Sequence, residues 1–209
     1  MRRPAAAVAG IAAGLAGLQL IYTVLRRLLR LAAPEGLFAE SMVSMAAMLL
    51  LFAVLRWAAR RTGRDVTLLP DPPRPGFWAA AAGFGLLLAL TLLLPQNRSA
   101  QGLWLTVYGS IVTPLYKEYL FRGLIWRRLE KLFAGRAAVA AVNAVLFGLW
   151  HLGYADGVAL RVDGELGQVM FWKVLTGLAY GAVLAAVRCR VRCCGWTVLL
   201  HGAMNLFGR

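Results

Sequence analysis

Three pairs of residues at i,i+4 spacing stand in otherwise apolar stretches: Glu118–Arg122 in KEYLFRG, Phe147–His151 in LFGLWH, and His201–Asn205 in HGAMN. Both histidines of the chain fall in these pairs. The spacing puts the two members of each pair on one helix face, one turn apart. An ionisable group inside a membrane helix is costly and marks a functional site by default. A carboxylate near an imidazole can activate water, one accepting the proton while the other orients or shuttles it. His201 and the Asn205 amide can donate to an oxyanion forming on a carbonyl carbon. Arg122 can hold a carboxylate or a backbone carbonyl through its forked donors. Together these capacities amount to peptide-bond hydrolysis. No serine or cysteine sits in a comparable pair, so a covalent nucleophile has no obvious candidate.

Each residue also has a plain structural reading. A Glu–Arg pair can be an ion pair that only braces a helix, and a membrane histidine can be an interhelical hydrogen bond. Phe147 reads as packing. Asn143 and Lys173 read as interhelical contacts or edge residues. The coincidence of all three pairs is what favours chemistry.

The elements that would position them are membrane helices. Hydrophobic residues make up 60% of the chain and mean hydropathy is +0.66, above the roughly half-apolar composition of soluble domains. The excess lies in runs near 5–25, 37–57, 77–95, 102–130, 137–153, 166–187 and 195–207, several long enough to cross roughly 30 Å of hydrocarbon as helix. The expected fold is all-α: a polytopic membrane bundle of about seven transmembrane helices, with residues 1–209 forming one integral membrane domain. The first run reads as a retained helix rather than a signal peptide, being too long for a typical h-region and without a convincing cleavage site before Arg26. Gly10, Gly14 and Gly17 in the first run, and Gly177 and Gly181 in the sixth, would let a neighbouring helix approach closely. No run alternates with period two, which argues against a barrel.

The formal charge of +14 does not indicate nucleic-acid binding, because the arginines cluster at the ends of apolar runs, as membrane topology requires. With the N-terminus inside, Arg2, Arg3, Arg56, Arg60, Arg61, Arg64, Arg74, Arg127, Arg128, Lys131, Arg136, Arg188, Arg190 and Arg192 lie on the cytoplasmic side. A smaller set, Arg26, Arg27, Arg30, Arg98, Arg161 and Arg209, lies outside. Arg26, Arg27 and Arg30 fit this assignment worst. Cys189, Cys193 and Cys194 read as free juxtamembrane thiols, an odd count that makes no disulfide framework.

Glycine at Gly135 terminates the fourth helix naturally, so the fourth and fifth runs form an antiparallel hairpin. Counted outward from Ala134–Gly135, Glu118 and His151 reach one height, and Arg122 and Phe147 match one turn nearer the turn. The seventh run would bring His201 and Asn205 as a third wall.

These residues resemble the CPBP intramembrane proteases, which include the CAAX-processing endopeptidases and bacteriocin-immunity-related proteins. That family carries Glu-Glu-x-x-x-Arg, Phe-x-x-x-His and His-x-x-x-Asn in this order on successive membrane helices. The chain shows Lys117-Glu118-x-x-x-Arg122, Phe147-x-x-x-His151 and His201-x-x-x-Asn205, over about residues 102–207. The resemblance implies an intramembrane endopeptidase of a cell membrane, expected here in a bacterium with the N-terminus inside. Its expected partners are the lipid bilayer and a membrane-anchored protein or peptide substrate, with no nucleic acid. It further implies that the first glutamate of the motif is the catalytic base and the second a support near the arginine.

Lys117 departs from that pattern. Three readings follow: Glu118 carries the chemistry, the chain is a catalytically inactive relative acting as a scaffold or immunity protein, or position 117 carries a substitution. Glu118, His151 and His201 could in principle bind zinc. Without a His-Glu-x-x-His helix or a cysteine in reach, a metal-free site with no cofactor is favoured over a zinc site.

Overall fold

The computed structural model describes residues 4–159, 162 and 164–207; Arg2, Arg3, Arg161 and Arg209 of the charge pattern lie outside them. Within hydrocarbon every backbone polar group must be satisfied inside its own segment, so apolar runs become helices. All seven do. They are α1 (Pro4–Arg30), α2 (Leu37–Arg61), α3 (Pro75–Leu92), α4 (residues 100–129), α5 (Arg136–Trp150), α6 (Leu166–Arg188) and α7 (Gly195–Phe207). A 3-10 turn, His151–Tyr154, and a short helix, Ala155–Ala159, prolong α5. Among the described residues there is no strand, and five helices are long and apolar enough to cross a membrane: α1, α2, α3, α5 with its extension, and α6. The protein is an all-helical membrane bundle.

The two helices outside that set carry most of the polar pairs. The thirteen residues of α7 rise only about 20 Å. In α4 the helix is interrupted by π-helical turns at Tyr108–Val112 and Tyr119–Ile125, on either side of the regular segment Thr113–Glu118. Pro114 accounts for the first: it has no N–H to give and its ring crowds the carbonyl four residues back. Widened turns of this kind recur at functional sites.

α5 and α6 pack most closely, through small residues. A Cβ at Gly181 would lie 3.0 Å from the Ala144 carbonyl oxygen, and one at Gly148 would lie 3.2 Å from Leu178 Cα. The sixth helix thus has the small-residue contact face its glycines suggest. α1 does not: Cβ atoms at Gly10, Gly14 and Gly17 would meet nothing within 4 Å.

Two of the three awkward arginines at the end of α1, Arg26 and Arg30, are neutralised by ion pairs. Arg26 pairs with Asp156, and Arg30 pairs with Glu40 at 2.5 Å and also donates to the Ala33 carbonyl at 3.1 Å. Cations at a helix C-terminus also complement its dipole. The buried centre is aromatic, with Tyr116, Phe121, Trp126, Phe147 and Trp150 drawn from α4 and α5, while leucines such as Leu86, Leu90 and Leu20 face outward. Cys189, Cys193 and Cys194 are free.

Candidate active site

Asn205, Asn143 and Arg188 meet carbonyls on the π-helical turns of α4. Asn205 Nδ2 donates to the Gly109 carbonyl at 2.7 Å, Asn143 Nδ2 to Phe121 at 2.8 Å, and Arg188 Nε to Arg122 at 2.9 Å. A buried carbonyl left unpaired would cost free energy comparable to a lost hydrogen bond, so three side chains from α7, α5 and α6 stabilise the irregular backbone that carries Glu118 and Arg122. Asn143 is thereby an interhelical contact. Arg188, counted in the sequence as a topological charge, is instead buried over the Trp126 ring.

Glu118 and Arg122 are completely buried and paired across one helical turn, Nη1 to Oε1, at 3.2 Å. Arg122 Nη2 donates to the Gly181 carbonyl at 2.9 Å, and its guanidinium lies 4.3 Å from the centre of the Phe147 ring. The same Glu118 oxygen accepts from His201 Nδ1 at 2.7 Å; Glu118 Oε2 is buried without a hydrogen-bond partner among the described residues.

His151 meets a different neighbour. Its Nδ1 lies 2.9 Å from the Phe147 carbonyl oxygen, which only accepts. The proton therefore sits on Nδ1, and Nε2 of the neutral ring carries the lone pair. That nitrogen faces Lys117 Nζ at 3.3 Å. The lysine nitrogen also lies 5.6 Å from the Phe147 ring centre and 5.2 Å from that of Tyr154. Gly177 leaves room for the imidazole: a Cβ there would stand 2.5 Å from His151 Nδ1.

Of the residues singled out by sequence, Lys117, Phe147, His151, His201 and Asn205 line one cavity of about 510 Å³. Glu118 and Arg122 do not line it; they stand behind His201 and Phe147. The hairpin does match Arg122 to Phe147 in height, but the expected meeting of Glu118 with His151 is replaced by two pairs, Lys117–His151 and Glu118–His201.

The sequence reading set Lys173 aside as an interhelical contact or edge residue and missed Tyr154 and Thr176; all three share the cavity wall. Lys173 carried the same signal as Glu118, an ionisable side chain inside an apolar run. Tyr154 and Thr176 carried none, because their place depends on the turn after α5 and on how α6 is rotated.

Fold and site define an integral membrane protein whose polar groups are gathered around an internal cavity. Residues 98–207, over half the chain, match the family model described as type II CAAX prenyl endopeptidase Rce1-like. The chain belongs to that family of intramembrane endopeptidases. No curated protein and no solved structure matches it.

Proposed function

We propose that the chain hydrolyses a peptide bond of a membrane-associated substrate inside the cavity shared by Lys117, His151, His201 and Asn205. The observation that carries this reading is the proton arrangement of His151. Its Nδ1–H is committed to the Phe147 carbonyl, which leaves Nε2 as a base facing the cavity. Water bound there attacks the carbonyl carbon, a C–O bond forms, and the proton passes to Nε2. His201 and Asn205 donate to the resulting oxyanion. One Asn205 amide hydrogen is spent on Gly109 and the second is available. His201 donates to the oxyanion from Nε2 only as an imidazolium, because its Nδ1 proton is held by Glu118. Lys117, on its flexible stem, turns its ammonium from His151 to the same oxyanion. When the C–N bond breaks, His151 returns the proton to the leaving nitrogen.

Glu118 in this scheme belongs with His201, whose ring it orients and whose charge it balances, and Arg122 keeps that carboxylate in place. No metal is assigned. Among the described residues no three His, Cys, Asp or Glu side chains form a ligand set, and His151 Nε2 faces an amine where a metal would need its lone pair.

A second reading has its own observation. Lys117 Nζ occupies the one nitrogen of His151 that could act as base, and a chain fixed in that pairing would be an inactive scaffold. Cleavage of a membrane-anchored peptide by the wild type, His151→Ala and Lys117→Glu separates the two. Hydrolysis by the wild type, lost in His151→Ala by the 10²- to 10⁴-fold typical of removing a general base, supports the endopeptidase. An inert wild type, with activity appearing in Lys117→Glu, supports the scaffold.

A further inference from the structure

The connections after α2, α4 and α6 are joined into one surface. Arg127 Nη1 donates to the Asp65 carbonyl at 2.6 Å, the Cys194 N–H to the Thr67 carbonyl at 3.4 Å, and Arg136 Nη1 to the Cys189 carbonyl at 3.0 Å. Residues 56–74, 127–136 and 188–192 therefore meet at one end of the bundle. They hold twelve arginines and lysines against three acids, Asp65, Asp71 and Glu130. At the opposite end, the described residues of 26–40, 93–99 and 151–165 hold four of each sign. Membrane topology asks only that basic residues outnumber others on one side; it does not ask that three separate connections be tied into a single face.

Five cations of this face are exposed and uncommitted. The side chains of Arg64, Arg128, Lys131, Arg190 and Arg192 make no hydrogen bond or ion pair with any described residue. Two of the three acids are engaged: Asp65 with Arg60 and Tyr119, and Glu130 with Trp126. Like charges held on connected loops repel one another, and an anionic surface laid against them would relieve this. The depth of the face is marked by tryptophans. Trp57 lies one turn before the end of α2 and Trp78 in the first turn of α3. Both are exposed, and the Arg61 guanidinium lies 5.7 Å from the centre of the Trp57 ring. Indole rings gather at headgroup level. The five cations, at or just beyond the helix ends, therefore stand level with lipid phosphates. Clusters of basic residues beside membrane helices recognise anionic headgroups, at about 1 kcal/mol per Lys or Arg.

We propose that this face binds the headgroups of anionic phospholipids, with Arg64, Arg128, Lys131, Arg190 and Arg192 as its contact cations. The inference goes beyond peptide hydrolysis and does not rest on it. Native mass spectrometry of the full chain in non-ionic detergent tests it, with dioleoyl phosphatidylglycerol, dioleoyl phosphatidylcholine and inorganic phosphate as probes. Phosphatidylglycerol is expected to bind more tightly than phosphatidylcholine. Replacing all five cations by glutamine is expected to weaken phosphatidylglycerol roughly fivefold or more, the equivalent of about 1 kcal/mol for a single lost charge contact, and to leave phosphatidylcholine unchanged. Arg27→Gln, an exposed cation at the opposite end, is expected to change nothing. The pair Arg190→Gln with Arg192→Gln decides the matter if the fivefold variant fails to fold. Equal binding of the two lipids by the wild type, or undiminished phosphatidylglycerol binding by the folded variant, would overturn the proposal. An equal loss in Arg27→Gln would overturn it as well, by showing that overall charge and not this face selects the lipid. Displacement of phosphatidylglycerol by millimolar inorganic phosphate would also overturn it, assigning the face to a soluble anion.

Discussion

Lys117 Nζ stands 3.3 Å from His151 Nε2, joining α4 to the end of α5 through the nitrogen to which the proposed mechanism assigns water activation. The adjacent residue on α4, Glu118, makes no use of that nitrogen and turns to His201 instead. One helix thus addresses two histidines from neighbouring positions, with opposite charges.

The Glu118–Arg122 pair is fully buried, so breaking it from one side leaves a stranded charge. Removing one partner of such a pair typically costs about 3–5 kcal/mol, whereas replacing both by apolar groups is often neutral. Glu118→Leu or Arg122→Met alone is expected to lower the thermal midpoint in detergent sharply, and the double replacement Glu118→Leu with Arg122→Met to recover much of it. Additive losses in the double variant would show that the two charges are not coupled.

Gly177 is expected to act as a positioning residue. A Cβ there would fall 2.5 Å from His151 Nδ1, while one at Gly14 would meet nothing within 4 Å. Gly177→Ala should displace the imidazole from the Phe147 carbonyl and reduce peptide cleavage by kcat, on the order of the 10²-fold cost of misplacing a catalytic group by about 1 Å. Gly14→Ala should be neutral. Unchanged kcat in Gly177→Ala would remove the constraint placed on His151.

Asp65 joins the loop after α2 to α4. It accepts from the Tyr119 hydroxyl at 2.8 Å, from Arg60 Nε at 2.9 Å and from the Val66 N–H at 2.8 Å. Burial pushes its carboxyl up, but the bonds from Tyr119, Arg60 and Val66 and the charge of Arg56 outweigh this, so it is held below the usual value of 3.8. A folded-state value below the unfolded one stabilises the protein above the unfolded value, and the contribution is lost as pH falls through the folded one. Thermal midpoints recorded from pH 7 down to pH 3 should therefore fall more steeply for the wild type than for Asp65→Asn. Parallel curves would contradict the assignment.

Cys194 precedes α7 and is completely buried. Burial pushes its thiol up to about 12, and the thiolate is the reactive form. Maleimide at pH 7.5 should modify Cys194 far more slowly in the folded protein than after denaturation, as peptide mass mapping would read. Equal rates would mean that the segment before α7 opens readily.

Much of the architecture was legible in the chain. All seven apolar runs became helices because hydrocarbon leaves a backbone no other way to satisfy its polar groups. The polar pairs stood out because the surrounding residues were so uniformly apolar. The match of Arg122 to Phe147 followed from equal rise on two helices meeting at Gly135. The boundaries were less legible: α1 continues to Arg30 because Arg26 and Arg30 find Asp156 and Glu40, which are distant or beyond a turn.

What the sequence alone determined is the inventory and the depth: which residues share a helix face, and how far each lies from a helix end. Only the tertiary structure decided who faces whom. Consecutive helix residues point about 100° apart, so whether Lys117 or Glu118 looks at His151 depends on the rotation of α4 about its axis. That rotation depends on the π-helical turns around Thr113–Glu118, on the carbonyls held by Asn143, Asn205 and Arg188, and on the close approach allowed by Gly177 and Gly181. Spacing along a chain carries height, and packing between helices supplies the angle.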